Sequence, residues 1–165
     1  MKRFGVGLMV FLTVAVLSAQ STKYGVTVVN QKKVDFTKFK SYSWTTGQPA
    51  ADKTVDERIV AAIDAQFASI GMTKVEPGPG DVLVGYGAVR RTDVNVNVQK
   101  PDSTGPQTQS SVGTVYLLVH DPKDRTRQLQ LRLDKPIDAT PATAGPANDQ
   151  AVAELFTKYP VKPKK

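Results

Sequence analysis

Residues 54–91, TVDERIVAAIDAQFASIGMTKVEPGPGDVLVGYGAVRR, decide the fold, because a helix pattern closes there on a glycine and gives way to a strand pattern. Val55, Ile59, Ala62, Ile63, Phe67 and Ile70 recur at the spacing that gathers apolar side chains on one helical face, with Asp56, Arg58, Asp64 and Gln66 largely off it. Thr54 followed by Glu57 reads as a capping box, and Gly71 is suited to the left-handed conformation that ends a helix. The spacing therefore predicts a helix over 54–70. After the turn signal Pro77-Gly78-Pro79-Gly80, residues 81–91 alternate, with Val82, Val84, Tyr86 and Ala88 on one side and Leu83, Gly85, Gly87 and Val89 on the other. A helix stripe of this kind needs such a sheet face to cover.

On the N-terminal side, valine-rich residues 24–29 read as a first strand. Phe36 and Phe39 bracket a short turn that leads into a strand ending at Trp44, and burial energy assigns this aromatic cluster to the core. On the C-terminal side, Asp93 to Gln99 alternates strictly and is expected to pair with residues 81–91 through a tight turn near 91–93. Residues 100–111, with Pro101, Gly105 and Pro106, read as a flexible loop. Residues 112–120 and 127–133 form an expected hairpin across Asp121-Pro122-Lys123-Asp124. Residues 134–146, rich in proline and alanine, read as a linker. Asn148 or Asp149 then caps a last helix whose stripe is Val152, Leu155, Phe156 and Tyr159, with Pro160 as its stop. The expected fold is α+β: a mainly antiparallel sheet of about five to seven strands with two amphipathic helices packed on one face.

At 165 residues the chain has room for one domain with its own core, placed at 20–160 and followed by a basic tail over 161–165. Met1-Lys2-Arg3, the apolar run from Phe4 to Leu17 and the small residues Ser18 and Ala19 have the three regions of a secretory signal peptide over 1–19. The run is shorter than the ~20 apolar residues of a spanning helix. Export with cleavage before Gln20 is therefore expected, to the periplasm or the exterior, with no transmembrane segment in the mature chain. The formal charge of +7 overstates the basicity of the body, because Lys2 and Arg3 leave with the signal and Lys158, Lys162, Lys164 and Lys165 cluster at the end. No basic face interleaved with aromatics is visible, so a nucleic-acid partner is not expected. With no cysteine, the core alone must stabilise the exported chain.

The order of Asp35-Phe36, Tyr42 and Trp44, then Asp56-Glu57-Arg58-Ile59 opening a helix that closes on Gly71, then Asp81-Val82-Leu83-Val84 and a final Tyr159-Pro160, resembles a bacterial family. It is similar to domain-of-unknown-function family 4136 over residues 26–160, most of whose members are regarded as envelope lipoproteins. Two features depart from that pattern: Gln20 stands where a lipidated cysteine belongs, and Leu129 to Leu133 replaces a tryptophan-glycine pair. The resemblance implies an envelope location and supplies no catalytic residue.

His120 is the only imidazole and there is no thiol, which removes most nucleophile–base pairs and zinc sites. His120-Asp121 reads as a polar turn after a strand. Asp121-Pro122-Lys123-Asp124 lacks the alternating oxygen ligands of a calcium loop. Gly78-Pro79-Gly80 and Gly85-Tyr86-Gly87 lack the lysine of a phosphate loop. No cofactor, metal ligand or catalytic residue is assigned. The reading is a non-catalytic exported cell-envelope protein that acts as a binding module for another envelope protein or a cell-wall component. Its alternative is a periplasmic hydrolase built on two carboxylates. The expected binding surface is the row Asp93, Asn95, Asn97 and Gln99, which lacks the lysines that usually guard an exposed strand edge, with the adjoining loop.

Overall fold

The structure is a computed structural model that describes residues 25–76, 78–95, 108–137 and 141–163. Six strands form one mixed sheet: β1 (Gly25–Asn30), β2 (Ser41–Trp44), β3 (Thr73–Lys74), β4 (Val82–Asn95), β5 (Thr108–His120) and β6 (Arg127–Pro136). Two helices, α1 (Lys53–Ser69) and α2 (Pro141–Phe156), complete the α+β fold. The sheet order is β1-β6-β5-β4-β2-β3. β1, β6, β5 and β4 pair antiparallel, whereas β2 runs parallel to both β4 and β3.

Alternation along the strands selects the helix-covered face. Val82, Val84 and Tyr86 of β4, Leu117 and Val119 of β5, and Leu129, Leu131 and Leu133 of β6 enter one buried cluster with Ile59, Ile63 and Phe67 of α1 and Val152, Leu155 and Phe156 of α2. The helices run side by side in the same direction. Arg58, in the second turn of α1, meets Asp149 at the middle of α2, and Phe67 packs edge-on against Phe156 near the C-terminal ends of both, with ring centroids 5.1 Å apart. Gly71 adopts φ +84°, the left-handed turn expected after α1.

Several local expectations are corrected. The cap of α1 is Asp52, whose Oδ1 accepts from Val55 N at 3.0 Å, so Thr54 lies one residue inside the helix. There is no turn near residues 91–93: β4 is continuous from Val82 to Asn95 and pairs with β5 throughout. The physical reason is legible in retrospect, since Val94 keeps the parity of Val82, Val84, Tyr86 and Ala88. Arg90-Arg91-Thr92 also offers no residue suited to positive φ. The long β4 needs a long partner, so β5 begins at Thr108, inside the expected loop, with Thr108 opposite Asn95. Within the expected linker 134–146, residues 134–136 and 141–146 belong to regular elements. β6 continues to Pro136, and α2 starts at Pro141, where proline's fixed φ suits a first helical position. Pro146 lies inside α2, and Asn148 and Asp149 lie within it rather than capping it. Burial of the later stripe outweighs the backbone bond that Pro146 cannot donate. The two-residue β3 was not foreseen, being too short to show a period.

Candidate functional site

The structure places the backbones of Asp93 and Asn95 at the far end of β4, opposite Ser110 and Thr108. Asn97 and Gln99 lie outside the described residues, as do residues 100–107 of the expected loop. What makes this end of β4 distinctive is what lies on its other side. β2 covers only Val82 to Val84, and the chain after it adds one bridge, Gln48 to Gly87. On that side Thr45 N donates to Val84 O at 2.8 Å, Gln48 N to Tyr86 O at 2.9 Å and Ala88 N to Gln48 O at 3.0 Å. Even-numbered residues of β4 therefore aim their backbone groups toward β2, and by the same alternation Arg90, Thr92 and Val94 do so next. Among the described residues no backbone partner meets these three. Among the described residues β4 is thus an interior strand for its first half and an edge strand for its second.

The two arginines of this stretch lean away from the open edge. Arg90 Nη2 donates to Ser111 Oγ on β5 at 3.1 Å, and Arg91 Nη1 reaches across β5 to Thr114 Oγ1 at 2.8 Å and Asp134 Oδ1 of β6 at 2.6 Å. Arg132 grips the same carboxylate through Nε at 2.8 Å and Nη2 at 3.0 Å. Burial works to raise the Asp134 pKa, but the bonds from Arg132, Thr114 and Arg91 outweigh it and hold the carboxyl at about 2. Beside this network the ring of Tyr116 lies over Gly87, where a Cβ would come within 2.1 Å of it, and its hydroxyl donates to Gln48 Oε1 at 3.1 Å.

Among the clefts formed by the described residues, two are of note. The larger, about 1070 Å³, opens between the helix N-terminal ends and the sheet, with Val55, Ile59, Ala88, Val115 and Leu133 among its apolar residues. Of its basic side chains, Arg58 and Lys135 are held by Asp149 and Glu154, at 2.6 and 3.1 Å, and Arg90 donates to Ser111. The smaller, about 450 Å³, is bordered by Tyr42, Asp64, Met72 and Lys74. Among the described residues each cleft is lined by one carboxylate, Asp52 in the first and Asp64 in the second. Asp52 is occupied as a helix cap. Asp64 accepts from Tyr42 Oη at 2.7 Å and Trp44 Nε1 at 3.0 Å. Burial, followed by the bond to Asp64, pushes the Tyr42 phenol well above its ordinary range.

The sequence-flagged turn residues serve the backbone. Asp121 accepts from Lys123 N at 2.8 Å and Gln128 Nε2 at 3.1 Å, and Asp124 accepts from Thr126 N at 2.9 Å. His120, partly buried and near Arg127 and Arg125, has its pKa lowered by burial first and by those two charges second. The signature residues are likewise structural. Asp35 accepts from Thr37 N at 3.2 Å, Asp56 from Ala50 N at 2.9 Å, and Asp81 from Lys40 N and Ser41 N at 2.8 and 3.0 Å, while Phe36 and Tyr159 are buried.

One surface escaped sequence reasoning. Val28 and Val29 of the outermost strand β1 are 39% and 50% exposed, the large hydrophobics most open to solvent among the described residues. Their apolar character was visible in the sequence, but their place at the sheet margin was not.

Sheet and helices define an α+β protein in which the carboxylates of Asp35, Asp52, Asp56, Asp64, Asp81 and Asp134 are engaged in holding the scaffold. The chain belongs to domain-of-unknown-function family DUF4136, whose profile matches residues 26–161. No curated protein matches it in sequence. Among solved structures it is similar to a PDZ domain protein from Parabacteroides distasonis, with TM-score 0.55 and 12% identity over 86% of this chain, and it spans only 37% of that protein's chain. It is also similar to PelC from Paraburkholderia phytofirmans, a dodecamer, with TM-score 0.51 and 8% identity over 80% of this chain and 94% of that one. At these identities the likeness is one of fold.

Proposed function

We propose that this protein is an exported, non-catalytic binding module of the bacterial cell envelope that accepts an extended segment of a partner protein on the second half of β4. The open backbone groups of Arg90, Thr92 and Val94 carry this reading, because an added strand forms main-chain hydrogen bonds whatever its sequence. Asp93, Asn95, Asn97 and Gln99, alternate residues in the sequence from that stretch onward, would supply side-chain selectivity. The engagement of Asp52, Asp64 and Asp134 in caps and clamps supports binding over carboxylate chemistry. The charged and apolar start of the chain supports export, with the mature protein beginning at Gln20 and carrying no lipid.

The test is crosslinking in native cells with wild type and the double variant Asn95→Lys, Asn97→Lys. The variant should keep its circular dichroism spectrum and melting temperature while losing the crosslinked partner, and capture at wild-type yield would place the site elsewhere. Mass spectrometry of the recovered protein reads the N-terminus at once: an intact Met1 or a lipid-sized increment would contradict the export reading.

A further inference from the structure

Among the described residues the sheet has a second open margin, and it matches the first. Gln31 N donates to Gln128 O at 2.9 Å, so odd-numbered residues of β1 face β6, and even-numbered Val26, Val28 and Asn30 aim their backbone groups outward. Three outward residues on β1 thus stand against three on β4, Arg90, Thr92 and Val94. β1 contains no charged residue, and Lys32 and Lys33 come only after it has ended. It therefore lacks the lysines by which edge strands usually repel one another, and it exposes Val28 and Val29.

Direction and face agree as well. β4 and β5, β5 and β6, and β6 and β1 are each antiparallel, so β1 runs opposite to β4. A second copy in the same orientation would set its β1 antiparallel against this β4. Val26 and Val28 sit opposite Leu133 and Leu131, whose side chains lie on the helix-covered face, and the even residues Val82, Val84 and Tyr86 of β4 lie on that face too. Pairing Val28 with Thr92, Val26 with Val94 and Asn30 with Arg90 would join helix-covered face to helix-covered face. Because Arg90 and Arg91 are turned toward Ser111 and Asp134, neither guanidinium stands in the way.

We infer that the strand accepted by the β4 edge is β1 of a second copy of this chain, so that the protein assembles head to tail through a sheet continuous across subunits. This rests on the strand-acceptor reading above and names its occupant. Such a joint is heterologous, and its repetition gives a ring if the rotation closes and a filament if it does not.

The experiment uses the full exported protein, its mass in solution measured by light scattering after size exclusion. Val28→Pro and Thr92→Pro each remove one outward N–H without touching a bond to β6 or β5. Wild type should be oligomeric and each variant monomeric. A mixture of the two should recover dimers and nothing larger, because it retains one competent β1 and one competent β4 edge. If proline lowers the melting temperature, Val28→Lys and Thr92→Lys make the same test on the same edges. A dimer of the Thr92→Pro protein alone would show a symmetric β1–β1 joint and overturn the inference. So would a mixture that stays monomeric. A monomeric wild type whose native crosslinks are lost in Thr92→Pro would overturn self-assembly while leaving the strand acceptor standing. An oligomer, or crosslinks, indifferent to both substitutions would overturn both.

Discussion

Trp44 Nε1 on β2 donates to Asp64 Oδ1 on α1 at 3.0 Å, and Tyr42 Oη reaches the same oxygen at 2.7 Å. One carboxylate thereby fixes two aromatic rings of a strand against the helix that covers it, and Lys74 Nζ adds a 3.7 Å contact from β3. Asp64→Ala leaves a tyrosine hydroxyl and an indole N–H without their acceptor in a partly buried site. The expected cost is about 2–3 kcal/mol, a fall of roughly 5–10 °C in melting temperature for a chain of this size. Trp44 is the sole tryptophan, so its fluorescence should shift in the folded variant. A melting curve superimposed on wild type would show that the clamp contributes nothing to stability.

Phe67 is fully buried at the centre of the α1 stripe, with ring centroids 4.5 Å from Tyr42, 5.1 Å from Phe156 and 5.7 Å from Tyr159. Phe67→Ala should cost about 3–5 kcal/mol through lost burial and the cavity left behind. Phe67→Asp should unfold the protein, since an unpaired carboxylate adds its desolvation to a total stability of about 5–15 kcal/mol. Thermal melts followed by circular dichroism read both variants, and a folded Phe67→Asp protein would mean that the stripe does not face the sheet.

Asp134, with its side chain 13% exposed, titrates at about 2 where an unperturbed aspartate has 3.8. Its folded pKa is depressed, so its contribution is fully present above the unfolded value and is lost as pH falls from about 4 through 2. That contribution is about 2 kcal/mol. Melting temperatures measured between pH 6 and pH 2 should fall more steeply for wild type than for Asp134→Asn. Parallel curves would remove Asp134 from the account of acid sensitivity.

His120 stands near Arg125 and Arg127, and both burial and those charges favour its neutral form. Its imidazole should titrate below 6.5 when followed by NMR. His120→Ala should fold and retain partner capture in the crosslinking assay, because Asp121 is already engaged by Lys123 and Gln128. Loss of capture or of any enzymatic activity in a folded His120→Ala protein would reopen a chemical role for the histidine.

What the sequence by itself determined was local. The stripe from Val55 to Ile70, the stop at Gly71, the alternation of β4 and β6 and the stripe from Val152 to Tyr159 all follow from periods of 3.6 and 2, which neighbouring residues enforce. The roles of Asp35 and Asp56 are local in the same way, since they act on backbone a few positions away, whereas Asp81 acts on Lys40 and Ser41 across the sheet. Where competing local signals met, tertiary pairing decided. Ala-rich, proline-containing residues 141–146 became helix because the stripe beyond them is buried, and Arg91 to Asp93 stayed extended because β5 pairs with them. The stretch from Asp93 was singled out by its sequence, but which backbone groups stand open beside it belongs to that second kind. Whether Thr92 is interior or edge depends on how far β2 extends, and whether Val28 is covered depends on which strand lies outermost. Both are outcomes of contacts between residues tens of positions apart, and the spacing of side chains along one strand carries no information about them.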